Sequence, residues 1–176
     1  MLLENDKIKL RAPEPEDLEF LFEMENDTSL WHLSNTISPF SRFDLEQYIL
    51  MSDKDIYKIR QLRFIIEKLN GSAVGIIDLF DFEPVHKRSG IGIMVKAEDQ
   101  KNGYASAALE LIFNYSVRML GLHQLYCNIE YSNVNSLRLF EKNGFVITGN
   151  KKDWNNFQGE WVDELFLQKN LEIKTQ

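Results

Sequence analysis

The stretch Ile91-Gly92-Ile93-Met94-Val95, followed by Gln100-Lys101-Asn102-Gly103-Tyr104-Ala105, decides the fold. An unbroken apolar and glycine run of this kind suits a strand near the middle of a sheet. From Tyr104 to Leu120 the residues Ala108, Leu111, Ile112, Tyr115 and Met119 give a helical apolar face, and Gly121 ends the run as a C′ glycine does. A central strand thus passes through a short loop into a long helix. That junction presents unpaired backbone N–H groups at the positive end of the helix dipole, so it can hold an anion. Gly103 lets backbone approach closely, and Ala105 keeps the first turn uncrowded. No Lys-Ser/Thr pair follows Gly103, and the G-x-G-x-x-G of dinucleotide folds is missing. The pattern that remains fits a pyrophosphate held mainly by backbone.

Ile8-Lys9-Leu10-Arg11-Ala12 alternates with period two and reads as a first strand. Pro13 and Pro15 end it, and Pro15 with Glu14, Glu16 and Asp17 suits a helix start, continued by Leu18, Leu21 and Phe22. The stretch from Ser34 to Phe40 reads as a loop. Ser41-Arg42-Phe43-Asp44 forms a capping box before a second helix through Leu50. Arg63-Phe64-Ile65-Ile66-Glu67 is a strand, Asn70-Gly71 a hairpin turn, and the return strand runs from Ala73 to Phe80. Beyond the long helix come a strand from Leu125 to Ile129 and a helix from Val134 to Lys142, stopped by Asn143-Gly144. Late strands are expected from Phe145 to Thr148 and from Asp163 to Gln168. The order β-α-α-β-β-β-α-β-α-β-β describes a mixed α/β sheet in one domain over residues 1–176.

Composition narrows the function. The chain has 176 residues with 44% apolar and 12% aromatic side chains, enough for a packed core. Cys127 is the only cysteine, which excludes an intramolecular disulfide or a cysteine metal cluster, and three scattered histidines do not suggest zinc. No metal is expected. No apolar run is long enough for a signal peptide or a spanning helix, so a cytoplasmic protein without a membrane partner is expected. The net charge of −7 argues against nucleic acid. The acidity sits in residues 1–55, which hold 5 Lys/Arg against 13 Asp/Glu, while the rest holds 15 against 14. That third is either a solvated helix face or an acidic wall attracting a cationic substrate.

Asn133-Val134-Asn135-Ser136, running on to Phe140-Glu141-Lys142-Asn143-Gly144-Phe145, is by itself a capped helix with a glycine stop. Together with the Q-x-x-G-x-A loop it resembles the GNAT family of acetyl-CoA-dependent N-acetyltransferases, from Ile8 to about Leu171. "IKLRAPEPEDLEFLFEMEND" and "RFIIEKLNGSAVGIIDLFDFEPVHKR" are similar to the spermidine/diamine branch, which shares its layout with the ribosomal-protein N-terminal acetyltransferases. The resemblance implies a mainly antiparallel sheet whose central strands 4 and 5 splay apart. It implies that backbone at Met94 and Val95 pairs with the pantetheine arm, that Gln100, Lys101, Asn102, Gly103, Tyr104 and Ala105 hold the pyrophosphate, and that Asn133 contacts CoA from the other side.

Two departures stand out. Phe140 occupies the family's general-acid Tyr position and cannot donate a proton, so Tyr131 and Tyr104 are candidate substitutes. Gly90 stands where the polyamine branch tends to carry Glu. Asp78, Asp81 and, more weakly, His86 are the remaining candidates for binding an ammonium or taking its proton. The implied activity is acetyl transfer from acetyl-CoA to a small-molecule primary amine such as spermidine. Protein N-termini, amino sugars, and a CoA-binding or polyamine-sensing module with little turnover are the alternatives. Trp31, Trp154 and Trp161 could serve a homo-oligomer interface or the core.

Overall fold

Asn70-Gly71 turns the chain back on itself within the sheet. Gly71 takes a positive φ of 92°, and the turn closes through Lys68 N–H to Ser72 O at 2.8 Å. The hairpin joins β2 (Leu62–Lys68) to β3 (Ala73–Glu83), in a computed structural model that describes residues 1–34, 36–51 and 55–171. β1 (Ile8–Arg11) pairs antiparallel with β2, and β4 (Arg88–Val95) pairs antiparallel with β3. The chain then crosses through α5 (Tyr104–Arg118) to β5 (Gln124–Glu130), which runs parallel to β4. After α6 (Val134–Lys142) the hairpin of β6 (Val146–Phe157) and β7 (Glu160–Asn170) completes a sheet ordered β1-β2-β3-β4-β5-β7-β6.

The pleat sends alternate side chains to two cores. Phe64 and Ile66 of β2, Ile91 of β4, and Leu125, Cys127 and Ile129 of β5 pack with Ala108, Leu109 and Ile112 of α5 and Phe140 of α6. Ile65 and Ile76 face the other way. They meet Leu21 of α1 (Leu18–Glu25) and Leu45 and Ile49 of α3 (Arg42–Leu50). The capping box of α3 forms as its sequence indicates, with Asp44 N–H donating to Ser41 Oγ at 3.0 Å. Two further single-turn helices, α2 (Trp31–Ser34) and α4 (Ile56–Ile59), are too short to show a period. No helix among the described residues is long and apolar enough to cross a membrane. Asp53 and Lys54, counted in the acidic third, lie outside the described residues.

Several boundaries differ from expectation, β4 among them, which begins at Arg88 rather than Ile91. β3 does not stop at Phe80; a bulge at Asp81, with φ 47°, carries it to Glu83. The late strands are far longer than four to six residues and meet in a turn at Gln158 and Gly159, both at positive φ. Residues 149–156 hide this because a register shift between Lys151 and Asn155 breaks the alternation, and because β6 is an exposed edge with no apolar face to signal.

Arg63 ties α1 and α3 to the sheet. Its Nε and Nη2 donate to Asp78 Oδ1 and Oδ2, each at 2.7 Å, Nη1 donates to Glu25, and the guanidinium lies 5.2 Å from the Tyr48 ring centroid. Burial pushes the Tyr48 phenol up to about 12. Losing the cation would leave two carboxylates in a nearly dry site. Arg63→Met is expected to lower stability by roughly 3–5 kcal/mol, read by denaturant unfolding. A loss under about 1 kcal/mol would contradict this account of the network.

Candidate active site

β4 and β5 pair at only three positions, Arg88 with Gln124, Ser89 with Leu125, and Gly90 with Tyr126. Beyond Gly90 the strands part. β4 keeps its ladder with β3 through Val95, and β5 keeps its ladder with β7 through Glu130. The backbone of β4 on its β5 side therefore has no strand partner beyond the paired residues, the Val95 carbonyl accepting instead from Gln100 Nε2 at 3.1 Å. Buried backbone polar groups need partners, so such an opening is a place for an extended ligand.

The mouth of the opening leads to the start of α5. Lys101 and Gly103 take left-handed conformations with φ of 64° and 81°, and no side chain caps the helix. The first backbone bond into the helix runs from Ala107 N–H to Gly103 O at 3.0 Å, which leaves the preceding N–H groups aimed outward. Gln100 and Asn102 spend their side chains within the loop, on Val95 O at 3.1 Å and Asp99 O at 3.2 Å. Tyr104 is half-buried against the core, with Lys68 Nζ 5.6 Å from its ring centroid. Beside this end lies a cleft of about 650 Å³ whose lining includes Lys7, Gly103, Ser106, Lys142 and Lys169. Its three lysines outnumber the acids Asp6 and Glu110 of the same lining, and with the uncapped helix end they leave it net positive, in keeping with the phosphates of a nucleotide. Asn143 braces the cleft, donating to Ser106 Oγ at 3.1 Å and to Leu139 O at 2.8 Å. The lysines and Asn143 escaped sequence reasoning because they come from three separate segments. Asn133 caps α6, its Oδ1 accepting from Ser136 N–H at 3.2 Å, and among the described residues its Nδ2 is left without an acceptor.

The other side of the opening is aromatic. Phe80 lies directly across from Gly90, and a Cβ on Gly90 would overlap its ring. The ring covers the bare glycine and meets Tyr126 edge-on at 6.2 Å. Tyr126 in turn lies 5.5 Å from Phe166 of β7. This explains the departure at Gly90: the space for a longer side chain is occupied by Phe80. Tyr126 was missed in the sequence, although its alternation with Leu125 and Cys127 marks it as facing away from the main core. Its hydroxyl donates to Asp81 Oδ2 at 3.4 Å, and burial first, then Asp81, raises its pKa.

The sequence-derived acid and base candidates do not converge on one point. Both oxygens of Asp78 are taken by Arg63, so it has no spare carboxylate face. Asp81 is exposed at the closed end of the opening. His86 is exposed in the turn before β4. Phe140 is 4% exposed and packs edge-on against Phe145 at 4.9 Å. Tyr131 is 64% exposed at the far end of β5. Cys127 lies on β5, but burial pushes its thiol up to about 12, so it is not a nucleophile near neutral pH.

Residues 7–146 match the model of the acetyltransferase (GNAT) domain. The spermidine N(1)-acetyltransferase of Vibrio cholerae is 26% identical over 167 residues, covering 93% of this chain and 87% of the relative. The crystal structure of spermidine N-acetyltransferase from Vibrio cholerae in complex with CoA and spermine superposes with a TM-score of 0.84 at 24% identity, covering 95% of this chain and 97% of that one. A dodecameric structure of the Vibrio cholerae enzyme in an intermediate state gives 0.78 at 25% identity, with 95% of each chain covered.

The Phe80–Gly90 fit is testable. Gly90→Glu should cost roughly 1–3 kcal/mol by overpacking, and Phe80→Ala in the same chain should recover most of that, measured as a double-mutant cycle in urea. Strict additivity would show that the ring and the glycine do not share the space.

Proposed function

We propose, since this chain belongs to the GNAT family of acetyltransferases, that it transfers the acetyl group of acetyl-CoA to a primary amine of a polyamine such as spermidine. The observation that carries the reading is the parting of β4 and β5 beside the uncapped, glycine-started end of α5. An extended pantetheine arm would add to the free edge of β4 at Met94 and Val95. The N–H groups of residues 101–105 would meet the pyrophosphate, and Lys7, Lys142 and Lys169 would face the remaining phosphate charge. Asn133 would turn its free Nδ2 toward the arm from the α6 side.

The bound thioester supplies the acetyl group. What the chain contributes is position. Holding amine and thioester together replaces a bimolecular encounter with a local one. Free N–H groups of β4 would polarise the carbonyl as charge develops on it. Phe140 supplies a wall and no proton, so the thiolate leaves with little acid assistance. A thiol pKa near 8.5 makes that tolerable.

Three features support a cationic acceptor. The similar enzymes of Vibrio cholerae are named for spermidine or were solved with spermine. The first third of the chain is strongly acidic. The wall facing away from the cofactor side combines the rings of Phe80, Tyr126 and Phe166 with the carboxylate of Asp81, a surface suited to an alkyl chain bearing ammonium groups. Trp154 and Trp161 on the β6–β7 hairpin, 57% and 62% exposed, are suited to self-association of the kind described for the dodecameric relative.

Incubation with acetyl-CoA and a panel of amines, read by mass spectrometry, should give N-acetylspermidine and free CoA. Gly103→Glu should weaken CoA binding at least about tenfold on a folded protein, measured by calorimetry, because it sets a carboxylate beside the pyrophosphate. Faster turnover of peptide N-termini than of any polyamine would overturn the acceptor assignment. Unchanged CoA affinity in Gly103→Glu would overturn the loop's role.

A further inference from the structure

Glu130 is a buried acid that the reading above leaves without a task. It ends β5 and is 6% exposed. Leu125, Cys127 and Ile129 point into the core beneath α5 and α6. The pleat therefore turns Tyr126, Asn128 and Glu130 to the opposite side, the side of the Phe80 and Phe166 rings. Gly90 is level with Tyr126, so Glu130 stands across the opening at the height of Met94, roughly 13 Å beyond the last paired residues.

Its hydrogen bonding is incomplete. Ser132 Oγ donates to Oε1, and among the described residues nothing donates to the enclosed Oε2. Directly across the ladder is a second buried acid, Glu164. Like charges in facing positions repel. Glu164 is answered, with Lys151 Nζ donating to Oε1 at 2.8 Å and Asn155 Nδ2 to Oε2 at 3.3 Å. Lys151 spends its remaining reach on Asn128 Oδ1 at 2.7 Å. Of the two acids, Glu130 is the one whose oxygen goes unanswered among the described residues, next to a like charge, in a site where an unpaired charge is expensive. What it lacks is a cationic donor.

We propose that Glu130 binds an ammonium group of the acceptor, its enclosed Oε2 turning into the opening to meet it, and so sets specificity for an amine carrying more than one positive charge. Gly90 offers no carboxylate at the closed end of the opening, where Phe80 fills the space, and Glu130 supplies one from the facing strand at the open end. The inference rests on the reading of the chain as a polyamine acetyltransferase.

The test is Glu130→Gln, which keeps the shape and removes the charge. The Michaelis constant for spermidine should rise roughly 10- to 100-fold, the worth of one charge-assisted hydrogen bond. That for acetyl-CoA should be unchanged, and kcat should move by no more than about threefold. The amine-free melting temperature should hold or rise, because the variant relieves an unpaired charge, while the upward shift given by spermidine to the parent protein should be lost. A residue that merely braced the fold would do the reverse, lowering the melting temperature and leaving the Michaelis constant alone. Glu130→Asp keeps the charge but withdraws it by one methylene. It should raise the spermidine constant several-fold, and it decides the matter if the Gln variant does not fold. An unchanged spermidine constant in the folded variant overturns the proposal while leaving the acetyltransferase reading intact. A parent protein that acetylates no polyamine removes both, and is distinguished by needing no variant at all.

Discussion

The structure depends on a ladder that stops early. Two parallel strands in the middle of a sheet hold each other for three residue pairs and then separate, each keeping its partner on the far side. Backbone amides left without partners inside a protein are costly, and the chain keeps this cost at the centre of its sheet. The rest of the molecule is arranged around that opening. α5 leaves the open end of β4 with its first amides uncapped, and α6 leaves the open end of β5 with Asn133 at its start. The Asn143 to Ser106 bond holds the two helices together behind the opening. One opening thus has an uncapped helix start at one end and two different walls.

The walls divide the chemistry. Toward α5 and α6 lie backbone amides and lysines, suited to a phosphate-bearing partner. Toward the other face lie aromatic rings and carboxylates, suited to a cation with an alkyl chain. The division follows from the pleat, which alternates Leu125, Cys127 and Ile129 with Tyr126, Asn128 and Glu130 along one strand. Arg63 holds α1 and α3 in place on that second face, and in doing so removes Asp78 from the available acids. Structural and functional carboxylates compete for the same few cations, and geometry decides which remain free.

Much of this was legible in the sequence. α6 begins and ends where "NVNSLRLFEK" indicates, because Asn133 caps it and Asn143-Gly144 stops it with local chemistry alone. The loop before α5 was legible for the same reason. Less visible were features that depend on what lies across a strand. Asp78 reads as a free acid until Arg63 is seen facing it in the register of β2 and β3. Gly90 reads as a missing carboxylate until the ring of Phe80 is found over it. Glu130 carries no local signal, since its character comes from Glu164, more than thirty residues later in the chain. The long β6–β7 hairpin stayed hidden because an exposed edge strand has no buried face to impose a period.

Amide hydrogen exchange along β4, with and without CoA, tests the central claim most directly. If the free edge of the strand receives the pantetheine arm, amides within residues 91–95 that face β5 should slow by at least about tenfold on CoA binding, together with those of residues 101–105. The β4 amides already bonded to β3 should change little. Slowed exchange confined to other parts of the chain, with residues 91–95 unaffected at saturating CoA, would contradict the account.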